Sequence, residues 1–270
     1  MDTLKTDMKH LFSTEGEKVL ADVLALTPLL AFDFDGTLAP IVARPATARV
    51  SATVALGLQS VSRRLPVAII SGRRIDDLRQ RLGFEPQFII GNHGAEDPQE
   101  PVSEAVAAAL NQLRQRIRQE QPLLRAAEVT VEDKHFSLAF HYRLARDRTH
   151  ALQVINTLLQ EAGADLHVFG GKLVVNVVSA AAPDKADAMW RLMRRQQARS
   201  AVFVGDDLND EPVFERAAPH WLTVKVGRDN PHSRARFYLD HAQEVGMLLD
   251  KMVALIGIAS DNHPSRNGAH

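Results

Sequence analysis

Asp33 and Asp35 stand one residue apart at the end of an apolar run, within Leu29-Leu-Ala-Phe-Asp33-Phe-Asp35-Gly-Thr-Leu38. A strand that stops at two acids and a glycine presents both carboxylates at the end of a sheet. There they can bind a metal ion and a phosphate. Carboxylates placed directly after an apolar strand are costly to bury unless something uses them. The structural alternative is a turn or a helix N-cap. Three further groups follow in order along the chain. Ser71, followed by Gly72, ends a second apolar run that begins at Pro66. Lys185 opens a helical pattern with Ala186, Met189, Trp190 and Met193 on one face. Asp206, Asp207 and Asp210 end a third apolar run that begins at Ala201.

Acid pair, serine, lysine and acid cluster, in that order, resemble the four motifs of the haloacid dehalogenase (HAD) phosphotransferases. The resemblance implies that Asp33 attacks phosphorus and that Asp35 is the general acid and base. An aspartyl-phosphate would form at Asp33. Several like charges brought together need a cation, or some of them must protonate. An all-oxygen donor set suits a hard cation that keeps waters, so Mg²⁺ is the expected cofactor. The expected metal set is Asp33, Asp35, Asp206 and Asp207. Asp210 lies near it or caps the following helix. Ser71 and Gly72, at a helix N-terminus, are expected to bind phosphate with Lys185. Ser71 reads equally well as a plain N-cap.

These residues need a sheet to bring them together. Strand-like runs lie at 29–34, 66–70, 86–90, 201–204 and 221–226, with helical patterns near 51–64, 74–82, 184–198 and 209–217. Residues 4–26 also read as helix. Strands alternating with helices argue for a parallel sheet covered on both faces. Ligands of such sheets sit beyond the carboxyl ends of the strands, where Asp33, Ser71 and Asp206 should converge. Residues 97–178 read differently. Val102, Val106, Leu110, Leu113 and Ile117 mark an amphipathic helix, and residues 128–143 alternate. Phe136, Leu138, Phe140 and Tyr142 fall on one face, and His135, Ser137, His141 and Arg143 on the other. A second helix (about 149–162) and two strands (about 165–169 and 172–178) follow. The fold class is α/β: a Rossmann-like HAD core with a parallel sheet, and an inserted α+β cap of the C2B type. The core is expected at 1–96 and 180–259, the cap at 97–179, with hinges at Asp97-Pro98 and Ala180–Pro183. A disordered tail is expected at 260–270.

A net charge of -1 over 270 residues gives no global field for nucleic acid or a membrane surface. Asp22, Pro28 and Asp33 interrupt the apolar residues of 19–34, so neither a signal peptide nor a membrane span is expected. With no cysteine there is no thiol chemistry, and a cytoplasmic protein is expected; the resemblance to HAD enzymes implies a monomer acting on a small sugar phosphate.

Within the HAD enzymes, residues 29–226 resemble the trehalose-6-phosphate phosphatases. The resemblance rests on Ile70-Ser-Gly-Arg73, Gly91-Asn-His-Gly-Ala-Glu96, Phe140-His-Tyr-Arg143, Gly205-Asp-Asp-Leu-Asn-Asp-Glu211 and Val224-Lys-Val-Gly227. It implies hydrolysis of trehalose 6-phosphate. It also implies that Glu132 and Lys134, on one face of a cap strand, hold the distal glucose; an exposed ion pair is the structural alternative. His93 and Arg143 line the site or support it. The chain departs from the family pattern in three places. Asn176 stands where a third cap acid is usual, Ser179–Pro183 replaces a Lys-Pro-Lys-Gly stretch, and Lys185 is followed by Ala. Asn176 therefore bears on which sugar is bound. The alternatives are a phosphatase for another glycosyl phosphate and a non-catalytic binding module.

Overall fold

The structure, a computed structural model, describes residues 8–160 and 163–261, with side chains described as far as Gly257. The strands are β1 (Lys9–His10), β2 (Leu29–Phe32), β3 (Val67–Ile70), β4 (Phe88–Ile90), β5 (Thr130–Asp133), β6 (Ser137–His141), β7 (Leu166–Gly171), β8 (Val174–Ser179), β9 (Ala201–Gly205), β10 (Leu222–Val226) and β11 (Phe237–Leu239). The helices are α1 (Thr14–Leu24), α2 (Ala52–Ser62), α3 (Ile75–Leu82), α4 (Glu104–Ala108), α5 (Asn111–Gln119), α6 (Gln121–Ala126), α7 (Arg148–Leu159), α8 (Lys185–Gln196), α9 (Glu211–Arg216) and α10 (Gln243–Asp261).

Among the described residues, seven strands form a parallel sheet in the order β1-β11-β10-β9-β2-β3-β4. Every residue of β2 is buried, because helices cover both faces. Leu30 and Phe32 pack with α1, α2, α3 and α10, whereas Leu29 and Ala31 pack with α8 and α9. Strands β3 and β9 alternate in the same way. Phe32 pairs with Ile69 on one side and Val204 on the other, so the three strands end nearly level. Asp33, Ser71 and Asp206 therefore emerge side by side.

Between β4 and α8 the chain forms a second sheet, antiparallel, in the order β5-β6-β8-β7. One face carries its own apolar core. Leu138, Phe140, Val175 and Val177 pack there with Leu113, Leu124, Val154 and Ile155 from the covering helices. The other face meets the parallel sheet's loops: Ser137 Oγ donates to Asn92 Oδ1 at 2.7 Å.

Several elements differ from the sequence expectation, each for a local reason. Of the expected helix over 4–26, residues 4–7 lie outside the described residues; from Met8 onward the helix begins at Thr14, because Ser13 caps it and the preceding Lys9–His10 pairs with β11 at the sheet edge. The expected continuous helix around 102–117 is two short helices, α4 and α5, and a third, α6, follows with Pro122 in its first turn. The alternating stretch 128–143 is a hairpin, turning where His135 takes φ +74°. Phe136 thus lies in the turn rather than in register with Leu138. Strands β1 and β11, three residues or fewer, carry no periodicity to read. Helix α10 continues to Asp261, and the rest of the expected 260–270 tail lies outside the described residues. No helix among the described residues is long and apolar enough to cross a membrane.

The apolar core of the second sheet shares no residue with the clusters on the two faces of the parallel sheet. Phe140→Ala should remove about 3–5 kcal/mol from the second sheet's packing. Amide exchange at 137–141 and 174–179 should quicken while Leu30–Phe32 stays protected. Equal loss of protection in both sheets would show that they unfold as one.

Candidate active site

The carboxyl ends of β2, β3 and β9 open into a cleft that is partly open to solvent. Asp33, Asp35, Ser71, Gly72, His93, Glu132, Lys134, Arg143, Asn176, Lys185, Asp206 and Asp207 all line it. Every one of them is singled out by its place in the sequence. Arg73 and His141, which stand in the quoted motifs, also line the cleft, as does Lys172, which no spacing marks.

At the floor, oxygens of Asp33, Asp206 and Asp210 lie within 4.8 Å of one another, and all three residues are buried. Asp33 continues the sheet ladder, its N–H donating to Val204 O at 2.9 Å. Lys185 Nζ lies 3.0 Å from Asp33 and 2.7 Å from Asp210. Its position follows from the start of α8, where Asp184 and Asp187 form a reciprocal capping box. Asp210 Oδ2 accepts from the N–H groups of Asp206 and Asp207 at 2.9 and 3.0 Å, folding the acidic loop around itself. Gly36 leaves the space the cluster needs. It has φ +81°, and a Cβ there would fall 1.9 Å from Asp206 Oδ2.

The carboxylates that converge differ from the set expected from sequence. Asp33 and Asp206 are joined by Asp210, while the carboxylates of Asp35 and Asp207 turn elsewhere. Arg73 takes Asp35 in a two-pronged pair, Nε to Oδ2 at 2.6 Å and Nη2 to Oδ1 at 2.8 Å. Arg73 is itself fixed by Asp77 at 2.7 Å and the Pro45 carbonyl at 2.9 Å. Asp207 Oδ1 accepts from Leu208 N–H at 2.9 Å as a helical cap. The converging donors are all carboxylate oxygens, the chemistry that a hard divalent cation takes.

Burial governs the electrostatics here. It pushes Asp33 well above the usual carboxylate range despite Lys185, and the neighbouring acids push the same way. Burial also pushes Asp206 up to about 6, against the pull of Lys172, with Asp210 adding to the rise. Lys185 is desolvated too, but Asp210 and Asp33 outweigh that and hold it above its ordinary value.

The second sheet supplies the roof. Lys134 Nζ donates to the Gly72 carbonyl at 3.0 Å and lies 3.7 Å from Glu132. Burial alone would raise Glu132, but its hydrogen bond to His141 at 3.0 Å and the charge of Lys134 keep it below its ordinary value. Arg143 donates to the carbonyls of Val42 and, at 2.7 Å, Lys172, tying the parallel sheet's loop to the roof. Asn176 is buried on β8, opposite Ala139 and Phe169. His93 holds φ +60°, stacks edge-on to Phe169 at 5.0 Å, and has no hydrogen-bond partner among the described residues for either ring nitrogen. Burial, aided by Lys134 and Lys185, keeps its imidazole neutral. Gly72 makes room for that ring, since a Cβ would sit 2.2 Å from His93 Cε1.

A family model described as trehalose-phosphatase matches residues 31–242. The chain belongs to the trehalose-phosphatase family. The trehalose-phosphate phosphatase of Mycobacterium tuberculosis is 30% identical over 278 residues, covering 93% of this chain and 71% of that protein. That of Mycobacterium marinum is 34% identical over 220 residues, covering 77% of this chain and 56% of that protein. The trehalose-phosphatase fold recurs in solved structures. The C-terminal domain of the C. albicans trehalose-6-phosphate phosphatase superposes with a TM-score of 0.75 at 20% identity, covering 93% of this chain and 99% of that one. A haloacid dehalogenase-like hydrolase from B. subtilis superposes at 0.58 with 18% identity, covering 83% and 98%. This trehalose-phosphatase family member thus has the α/β HAD fold with a parallel core sheet.

The raised Asp206 has a measurable consequence. Between about pH 4 and about pH 6 the folded chain holds a proton there that the unfolded chain releases, so its contribution to stability falls as pH rises. Denaturation midpoints in chelator should therefore decline less across that window in Asp206→Asn than in the parent. Equal pH dependence in the two proteins would contradict the assignment.

Proposed function

We propose that the chain hydrolyses trehalose 6-phosphate to trehalose and phosphate, with residues 97–179 serving as a cap over a core of 1–96 and 180–259. The observation that carries this reading is the pairing of Asp33 with Lys185 at the floor of a cleft whose roof presents Glu132, Lys134 and Asn176. Family membership supports the substrate.

One Asp33 oxygen attacks phosphorus, and the bond from phosphorus to the sugar oxygen breaks. Asp35 gives that oxygen its proton, so the sugar leaves as an alcohol. Water then attacks phosphorus, Asp35 takes its proton back, and the bond to Asp33 breaks, freeing phosphate and restoring the carboxylate. The Arg73 fork engages one lone pair on each Asp35 oxygen and leaves others for this transfer. Lys185 neutralises Asp33 and the incoming phosphate, and Ser71 and Gly72 bound the phosphate's place. Asp33, Asp206 and Asp210 would hold Mg²⁺, with Asp207 beside them, and the ion would offset phosphoryl charge. Glu132 and Lys134 bind the distal glucose, and the neutral His93 offers one donor and one acceptor to a sugar hydroxyl.

A phosphatase for another glycosyl phosphate is the second reading, and Asn176 favours it. A neutral amide binds hydroxyls more weakly than a carboxylate does. Removing Glu132 or Lys134 should cost trehalose 6-phosphate about 1.5–3 kcal/mol in kcat/KM, roughly ten- to a hundredfold. Turnover of a small aryl phosphate should be nearly unchanged, and Asn176→Glu should improve the disaccharide. If Asn176→Glu weakens the best substrate of a sugar-phosphate panel, and that substrate is not trehalose 6-phosphate, the sugar assignment fails while the phosphatase reading stands. Activity should vanish with a chelator and return with Mg²⁺, and full turnover in exhaustively chelated protein would refute the metal assignment.

A further inference from the structure

Lys172 sits in the turn between β7 and β8 and reaches from the second sheet into the acid cluster. Its Nζ is ion-paired with Asp206 Oδ2, whose side chain is 1% exposed. The other nearby groups have different duties. Thr37 Oγ1 is 3.4 Å from Asp206 Oδ1 and brings no charge. Lys225 Nζ donates to the Asp206 carbonyl at 2.7 Å. Lys185 is engaged with Asp33 and Asp210. Lys172 is thus the counter-charge of the Asp206 carboxylate.

Two features make it a removable one. Lys172 lies at a hairpin tip with its side chain 34% exposed, whereas Lys185 is built into the first turn of α8 and is 1% exposed. A second carboxylate lies nearby: Asp229 Oδ2 is 3.7 Å from the same Nζ, on a side chain 57% exposed whose Oδ1 is 3.2 Å from Lys225 Nζ. The backbone at the tip is held meanwhile, since Arg143 donates to the Lys172 carbonyl and Leu173 takes φ +64°. Burial pulls the ammonium down, but Asp206, Asp229 and Asp207 override it and keep Lys172 charged.

We infer that Lys172 is a placeholder cation: it neutralises Asp206 in the ion-free enzyme and yields that carboxylate to a divalent ion, passing to Asp229, when the ion binds. The inference rests on the reading of Asp206 as a cation-binding residue. A carboxylate this deep needs a positive charge in either state. An ammonium and a divalent cation beside the same carboxylate repel each other. The lysine therefore weakens the ion's affinity and supports the ion-free fold.

Calorimetric titration of Mg²⁺ into the full chain, stripped with chelator, tests this. Lys172→Gln should bind Mg²⁺ on the order of tenfold more tightly than the parent, the scale of one close charge pair. Lys172→Arg, which keeps the charge, should bind within a few-fold of the parent. Melting separates this role from a structural one. Lys172→Gln should melt below the parent without Mg²⁺ and together with it at saturating Mg²⁺. Unchanged or weaker Mg²⁺ binding by Lys172→Gln, or a melting deficit that persists at saturation, would overturn the placeholder role. A parent chain that takes up no Mg²⁺ would instead overturn the assignment of Asp206, and the placeholder with it.

Discussion

Three carboxylates buried within 4.8 Å of one another repel, and much of the local structure answers that repulsion. Asp33, Asp206 and Asp210 come together because strands β2 and β9 are neighbours in register. Desolvation and mutual repulsion push Asp33 and Asp206 upward. The fold supplies opposing charge from two directions. Lys185 is delivered by a helix start that its own capping box fixes, and Lys172 by a hairpin tip of the other sheet. Backbone N–H groups of the acidic loop serve Asp210. Gly36 and Gly205 are required by the same crowding, since a Cβ at either would press into Asp206 or Asp210.

The same charge organises the cleft above. Its roof is positive where it meets the core: Lys134, Arg143 and Lys172 each reach an oxygen of the parallel sheet's loops. A dianionic phosphate entering between an acidic floor and this basic roof meets lysines from both sides. Glu132, held below its ordinary value by His141 and Lys134, lines the cleft with Asn176 and His93. On the proposed reading, phosphate chemistry and sugar selection fall to different sheets.

The sequence made the floor legible because its strands are unbroken apolar runs that end abruptly in acids. Burial on both faces leaves β2, β3 and β9 no other composition. The edge strand β1 and its neighbour β11 were not legible, because two or three residues pair only when a neighbour is already there. The break between α4 and α5 is not legible because the apolar spacing continues across it. Side-chain direction was the least readable level. Nothing in Asp-Phe-Asp says that Asp35 turns to Arg73, a pairing set by a residue 38 positions away. Lys172 belongs to no motif, and its contact with Asp206 exists only once the second sheet is folded onto the first.

Whether Asp33 is the atom donor to phosphorus can be read directly. Rapid acid quench during turnover of trehalose 6-phosphate carrying labelled phosphate, followed by peptide mapping, locates any phosphoryl group on the chain. The account predicts label on the peptide that contains Asp33, chasing into free phosphate with the kinetics of turnover and absent from Asp33→Asn. Label at another residue, or turnover that proceeds with inversion at phosphorus and no labelled peptide, would contradict it.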